Sequence, residues 1–292
     1  MMKRTHLIKR SLLGALLLGL TQYSAPVMGQ TISLVKKWET RAELKVPESV
    51  IYDQANNVLY TANINGQPAG KDGNGSIGRV ALDGKVEEAE WVLGGLDAPK
   101  GMGLHKGLLY VADLTKVAVI DVKTGKIVRN IEAPGAGMLN DLTIDAQGVV
   151  YVSDSGKPKV YRITNNKAEV WIENPDLQKP NGLLAHQHKL YLVDMGSGFF
   201  YEVNKSTKAL RKIAEGLTGA DGIVPYGKDF ILSTWAGEVN LVSAQGKVEK
   251  LLDTKAEKIN AADLEYIPSK NLLIIPTFFV NTLTGYSIKA RK

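Results

Sequence analysis

One strand-rich unit recurs six times along this chain, and that repetition constrains the fold more than any other feature. The six comparable stretches are PESVIYDQANNVLYTAN, PKGMGLHKGLLYVAD, LNDLTIDAQGVVYVSD, PNGLLAHQHKLYLVD, ADGIVPYGKDFILST and AADLEYIPSKNLLIIPT. Each reads as an apolar strand, a polar turn and a second apolar strand. Most are followed by a third strand, a Gly or Asn turn and a fourth, as in VAVIDVKTGKIVRNI and KVYRITNNKAEVWIE. KTGK, TNNK and AQGK mark hairpins between alternating strands. The second residue of each stretch sets the register: Glu48, Lys100, Asn140, Asn181, Asp221 and Ala262, spaced by 52, 40, 41, 40 and 41 residues. A unit of about 40 residues with four strands is a propeller blade rather than a layer of a sandwich. The sequence therefore predicts an all-β, six-bladed β-propeller with four-stranded blades. The long first interval contains GQPAGKDGNGS (Gly66 to Ser76), expected as an extended loop within the first blade. The last unit has only three strands of its own. The unused segment ISLVKKW (Ile32 to Trp38) is expected to supply the fourth, so that both chain ends close one blade and remove two sheet edges.

The first thirty residues read differently. Lys3, Arg4, Lys9 and Arg10 precede the apolar run Leu12 to Leu20, and small residues follow, with cleavage expected after Gly29. Residues 1–29 thus read as a signal peptide and 30–292 as one propeller domain. The apolar run is too short to span a bilayer as a helix, though an uncleaved anchor is the alternative. Cleavage removes four positive charges from the formal +6 and leaves the mature chain near +2. The remaining basic residues form no patch or stripe, so nucleic acid is not expected as a partner. The mature protein is expected to be a periplasmic or secreted monomer without a membrane segment. Cysteine is absent, which excludes disulfides, thiolate catalysis and thiolate metal sites.

In a propeller the first strand of each blade lines the central channel. The six register residues should therefore ring one mouth of the channel, and four of them carry side-chain oxygens: Glu48, Asn140, Asn181 and Asp221. Carboxylate and amide oxygens suit a hard cation, and a wide, all-protein ring suits calcium better than magnesium. Two carboxylates and two neutral amides balance a doubly charged ion. Zinc is disfavoured: His6, His105, His186 and His188 do not share the ring position. Another reading stays open. Asn181-Gly182 and Asp221-Gly222 are also turn-forming pairs, and the ring would then be repeat punctuation.

The stretches PESVIYD, LNDLTID, KPNGLLA and GADGIVP resemble those of the senescence-marker-protein/gluconolactonase family of six-bladed propellers, which includes regucalcin. The resemblance implies a catalytic divalent ion held by a Glu, one or two Asn and an Asp, matched here by Glu48, Asn140, Asn181 and Asp221. It also implies hydrolysis of a lactone or ester, sugar lactones first, with Asp221 acting on water or as nucleophile. Asp141 would orient Asn140 or the ion's waters. Lys100 is a second catalytic candidate, placed to hold a substrate carboxylate or phosphate; the alternative is a surface lysine. Ala262 offers no ligand. Ile275-Pro276-Thr277 stands where some related hydrolases carry a catalytic histidine, and no counterpart of the arginine that binds sugar lactones is evident. Trp235 and Tyr52 are candidates to wall the mouth. A non-catalytic propeller that binds a ligand or a partner protein is the competing expectation, and a metal-free structural repeat protein is a third.

Overall fold

The computed structural model describes residues 32–290, and the expected signal peptide and its cleavage site lie outside the described residues. Six four-stranded antiparallel sheets make up the fold. Blade 1 spans residues 47–96, blade 2 residues 99–132, blade 3 residues 139–173, blade 4 residues 180–214 and blade 5 residues 220–253. Each is a meander whose strands pair in chain order. The sixth blade joins Glu265–Ile267, Leu272–Pro276 and Leu283–Ala290 to the N-terminal strand Ile32–Glu39. That strand pairs antiparallel with the last one, from Ile32 opposite Ala290 to Glu39 opposite Thr284. The expected closure by the two chain ends is present, and it satisfies backbone groups that a free edge would leave open.

The hairpins follow the local chemistry of their turns. Asn165 and Asn166, in TNNK, both take positive φ, at 49° and 60°, as a type I′ turn between twisted strands requires. The Gly-rich insert lies between the second and third strands of blade 1. One departure from expectation is the inner strand of blade 6, which begins at Glu265 rather than at Asp263. Asp263 instead bridges in parallel to Ser49 of blade 1, and its N–H donates to the Glu48 carbonyl at 3.0 Å.

The apolar core lies between neighbouring blades rather than on the axis. Val119 and Ile131 of blade 2 pack on Leu142, Val152 and Tyr161 of blade 3. Ile231 and Val239 of blade 5 pack on Leu273, Ile275 and Ile288 of blade 6. The circle closes where Val50, Leu59 and Val80 of blade 1 meet Ile274 and Leu283 of blade 6. Each fully buried aliphatic side chain of this kind contributes about 1.5–3 kcal/mol. With the hydrophobic packing carried between the blades, the axis is free to hold polar side chains.

Candidate functional site

The inner strands are Pro47–Asp53, Pro99–His105, Leu139–Ile144, Pro180–His186, Ala220–Tyr226 and Glu265–Ile267. In the first five, strand pairing skips at the register position. Pro47 pairs with Asn63 and Ser49 with Ala62, so Glu48 falls within a bulge. Lys100, Asn140, Asn181 and Asp221 sit in equivalent breaks. A bulge leaves its extra residue out of the ladder and re-aims the side chain. All five line one cavity of about 380 Å³ at the channel mouth. Ala262 does not line it. It packs with Ile64, Ala98, Leu114 and Phe278 in an apolar plug on that side.

The glycines after Asn181 and Asp221 are strand residues, so the turn reading of these pairs does not hold. They are required by close approach. A Cβ on Gly182 would stand 2.2 Å from the Asp221 carbonyl oxygen, and one on Gly222 would stand 2.5 Å from Asp263 Oδ1. At these two positions the neighbouring inner strand stands too near for a side chain, whereas the same place in blades 3 and 6 carries Asp141 and Asp263.

Repeated aspartates at the ends of the second strands hold the segments that carry the ring. Asp113 accepts from the N–H groups of Asp97 and Ala98, and Asp154 from those of Gly137 and Met138. Asp194 accepts from those of Gln178 and Lys179. These aspartates are visible in the sequence as the endings VAD, VSD and LVD, a signal that the ring register alone does not capture.

Within the ring, Asn181 Nδ2 donates to Asp221 Oδ1 at 2.8 Å, and Asn140 Nδ2 donates to Ser155 Oγ at 3.0 Å. Glu48 is buried, and its Oε2 has no hydrogen-bond partner. Lys100 is only 2% exposed, so it is not a surface lysine. Its ammonium donates to the Pro68 carbonyl at 2.8 Å and to the Ala98 carbonyl at 3.5 Å, tying the blade 1 insert over the cavity. Asp141 does not line the cavity. Its oxygens accept from the N–H of Leu142 and of Leu183, each at 2.6 Å, which fastens blade 3 to blade 4 behind Asn140. Tyr52 stands away from the mouth, its hydroxyl on Asn57 Oδ1, whereas Trp235 lines the cavity. Thr277 turns its hydroxyl to Thr282 at 2.8 Å, and Phe278 rather than Thr277 faces the cavity.

Carboxylates outnumber cations along the channel, and burial dominates their titration. Burial pushes Asp221 up to about 8; Asp263 adds to this, while Asn181, Lys100 and Lys179 oppose it. Glu48 is raised well above the usual carboxylate range by burial, with Lys100 opposing and Asp221 and Asp263 adding. Burial lowers the Lys100 ammonium, against the attraction of Glu48, Asp113 and Asp221. Asp141 is raised by burial and by Asp263, against its two N–H donors. Asp263, which the register missed, is pushed up to about 7 by burial, with Ser49 and the Leu264 N–H opposing. Its signal was its place one residue after the ring position, the place Asp141 also holds.

These residues fit a hard cation by donor chemistry. Glu48 Oε2 is a buried oxygen without a partner, and the surrounding excess of carboxylate is relieved by added positive charge. Among the described residues no three His, Cys, Asp or Glu side chains form a group that could hold a metal ion. A cation site here therefore depends on the amide oxygens of Asn140 and Asn181.

No protein-family model matches the chain, and no curated protein matches it. Solved structures match in shape. A streptogramin B lyase structure aligns with TM-score 0.66 at 10% identity, covering 88% of this chain and 98% of that one. A structure from a nidogen/laminin complex aligns with TM-score 0.65 at 21% identity, over 75% of this chain and 84% of that one. The WD40 β-propeller domain of Doa1 aligns with TM-score 0.61 at 17% identity, over 82% and 77%. At such identities the likeness shows the fold alone. The chain is a six-bladed β-propeller with a polar ring at one channel mouth.

Proposed function

We propose that this propeller is a divalent-cation-dependent hydrolase of a small lactone or ester, with calcium as the cation that best suits the donors. The observation that carries the reading is the unpartnered, buried Glu48 Oε2 in a cavity shared with Asn140, Asn181 and Asp221. When bound, a divalent cation there polarises the substrate carbonyl. The chain's own residues supply the rest. Asp221, fixed by the Asn181 amide at 2.8 Å, is the group to take the proton of the attacking water. Water adds to the carbonyl carbon, the acyl–oxygen bond breaks, and the departing oxygen takes back the proton held by Asp221, giving an acid and an alcohol from an ester or one hydroxy acid from a lactone. Lys100 keeps a positive charge at the cavity edge, suited to a substrate carboxylate or to the departing oxygen. Asp141 supports Asn140 by fastening the two blades behind it. Action as a monomer in the periplasm or outside the cell belongs to the same proposal.

A second reading is a ligand- or partner-binding propeller without turnover. It is favoured by Lys100, whose ammonium shares the ring with the proposed cation. Metal analysis of the purified chain, followed by a lactone and ester panel with and without chelator, separates the two. The hydrolase reading expects about one bound divalent ion, chelator-sensitive hydrolysis, and loss of both in Glu48→Gln. Full activity after chelation would sink the cation, and a bound ion with no turnover would favour the binding reading.

A further inference from the structure

The ring accounts for the cleaved bond and leaves the rest of the substrate unspecified. The walls above it are mainly apolar: Ile64, Met138, Met195, Trp235 and Phe278 line the same cavity, with Thr218 and Lys179 as the polar side chains among them. Apart from the indole N–H of Trp235, the apolar side chains offer no strong hydrogen-bonding group. A polyhydroxylated sugar desolvated against them would leave its hydroxyls unpaired, at a cost for each.

Three aromatic rings meet at this rim: Trp235 and Phe278 line the cavity, and Phe279 stands just outside its lining against both. Trp235 lies edge-on to Phe278 at 5.6 Å and to Phe279 at 6.0 Å, and Phe278 meets Phe279 at 4.7 Å. Trp235 is 36% and Phe279 56% exposed, and no other Trp or Phe among the described residues is exposed. Two open aromatic faces beside a cavity are not packing leftovers of the core. Their support is built. Trp235 is fixed at both backbone ends, its N–H on the Gly219 carbonyl and its carbonyl taking the Asn260 amide, each at 2.8 Å. Phe278 holds φ of +52°, a conformation that bulky residues rarely adopt. It is kept there by the Thr277–Thr282 hydrogen bonds and by Asn281, whose Oδ1 takes the Val46 N–H at 2.9 Å. Strain of this kind persists only where the surroundings over-determine it, and it clusters at ligand sites. Lys100 and Lys179 also line the cavity, and Lys179 makes no ion pair among the described residues.

We propose that the substrate is an ester or lactone bearing an aryl or medium-length alkyl group, seated on Trp235, Phe278 and Phe279 with its carbonyl turned to the ring. The assignment rests on the hydrolase reading for the carbonyl and on the rim for the apolar group. Sugar lactones, the expectation from resemblance, are the class it sets aside.

The test has two arms. In the first, kcat/KM is measured on the cation-loaded protein for dihydrocoumarin, γ-butyrolactone and glucono-δ-lactone. Dihydrocoumarin is expected to exceed gluconolactone by at least about tenfold, and Phe279→Ala and Trp235→Ala to cut the preference for dihydrocoumarin over γ-butyrolactone about tenfold, mainly through KM. The second arm needs no turnover: calorimetric titration with hydrocinnamate and with gluconate. Hydrocinnamate is expected to bind, gluconate not, and Phe279→Ala to weaken hydrocinnamate about tenfold. Phe279 is more than half exposed, so its truncation spares the core, and an unchanged melting temperature verifies this. If nothing is hydrolysed but hydrocinnamate binds as described, the hydrolase reading fails and the apolar subsite stands. Preference for gluconate or gluconolactone, or indifference of hydrocinnamate binding to Phe279→Ala, overturns the subsite.

Discussion

Asp154→Asn tests how the ring is held, because it preserves shape and removes only charge and one acceptor. Asp154 is fully buried. Its Oδ1 accepts from the N–H of Met138 at 2.7 Å and of Gly156 at 3.0 Å, and its Oδ2 from the N–H of Gly137 at 2.8 Å. Asparagine can keep the two bonds to one oxygen. Its NH₂ then faces the Gly137 N–H, donor against donor. A stranded donor costs about 1–3 kcal/mol, and hydrogen bonds to a charged group are worth more than neutral ones. The sum is about 3 kcal/mol. For a domain of this size 1 kcal/mol is about 2–4 °C, so the melting temperature should fall by about 6–12 °C. Asp121→Asn is the matched control. Asp121 also accepts two backbone N–H groups, from Lys123 at 2.8 Å and Thr124 at 3.1 Å, but in a hairpin open to water. There the loss should stay within about 0.5 kcal/mol. Differential scanning calorimetry on both variants decides. Equal shifts in the two, or none in Asp154→Asn, would refute the claim that burial makes these aspartates the anchors of the ring.

Three further outcomes follow from the channel. Lys100→Met removes a positive charge from the ring and should tighten calcium binding about tenfold by calorimetry; weaker binding would mean that the ammonium organises the site. In chelator-treated protein, Asp263 and Glu265 are both pushed up to about 7 by burial. Their raised values favour the folded state below the unfolded carboxylate range, and that stability is lost as pH rises through about 7. The melting temperature of the cation-free protein should therefore fall between pH 5 and pH 8, and a rise across that window would contradict the assignment. Gly222→Ala places a Cβ 2.5 Å from Asp263 Oδ1 and 2.7 Å from the Leu264 nitrogen. Thermal melts should show a cost of about 1–3 kcal/mol, and wild-type stability would mean that the inner strands can part.

The repeat was enough to establish the architecture. Blade number, the place of the insert and the sharing of the last blade between chain ends all follow from spacing and alternation, because strand periodicity and turn chemistry act over a few residues. The register also named five side chains that share the mouth cavity, since equivalent positions in a closed ring point the same way. Local signals could not tell that the glycines after Asn181 and Asp221 mark packed strands, because the atoms that exclude a Cβ belong to the next blade. For the same reason Asp141 was legible as a residue beside the ring but not as a clasp on Leu183, and Asp263 escaped notice while its alanine neighbour held the register. Burial of Lys100 depends on Pro68, thirty-two positions away in sequence. The aromatic rim joins Trp235 of blade 5 to Phe278 and Phe279 of blade 6. The ring was written in one repeated position, and four wall residues, Ile64, Met195, Trp235 and Phe278, stand in a second, directly after the repeated stretches; that the two positions face one cavity was decided only when closure of the propeller brought the blades together.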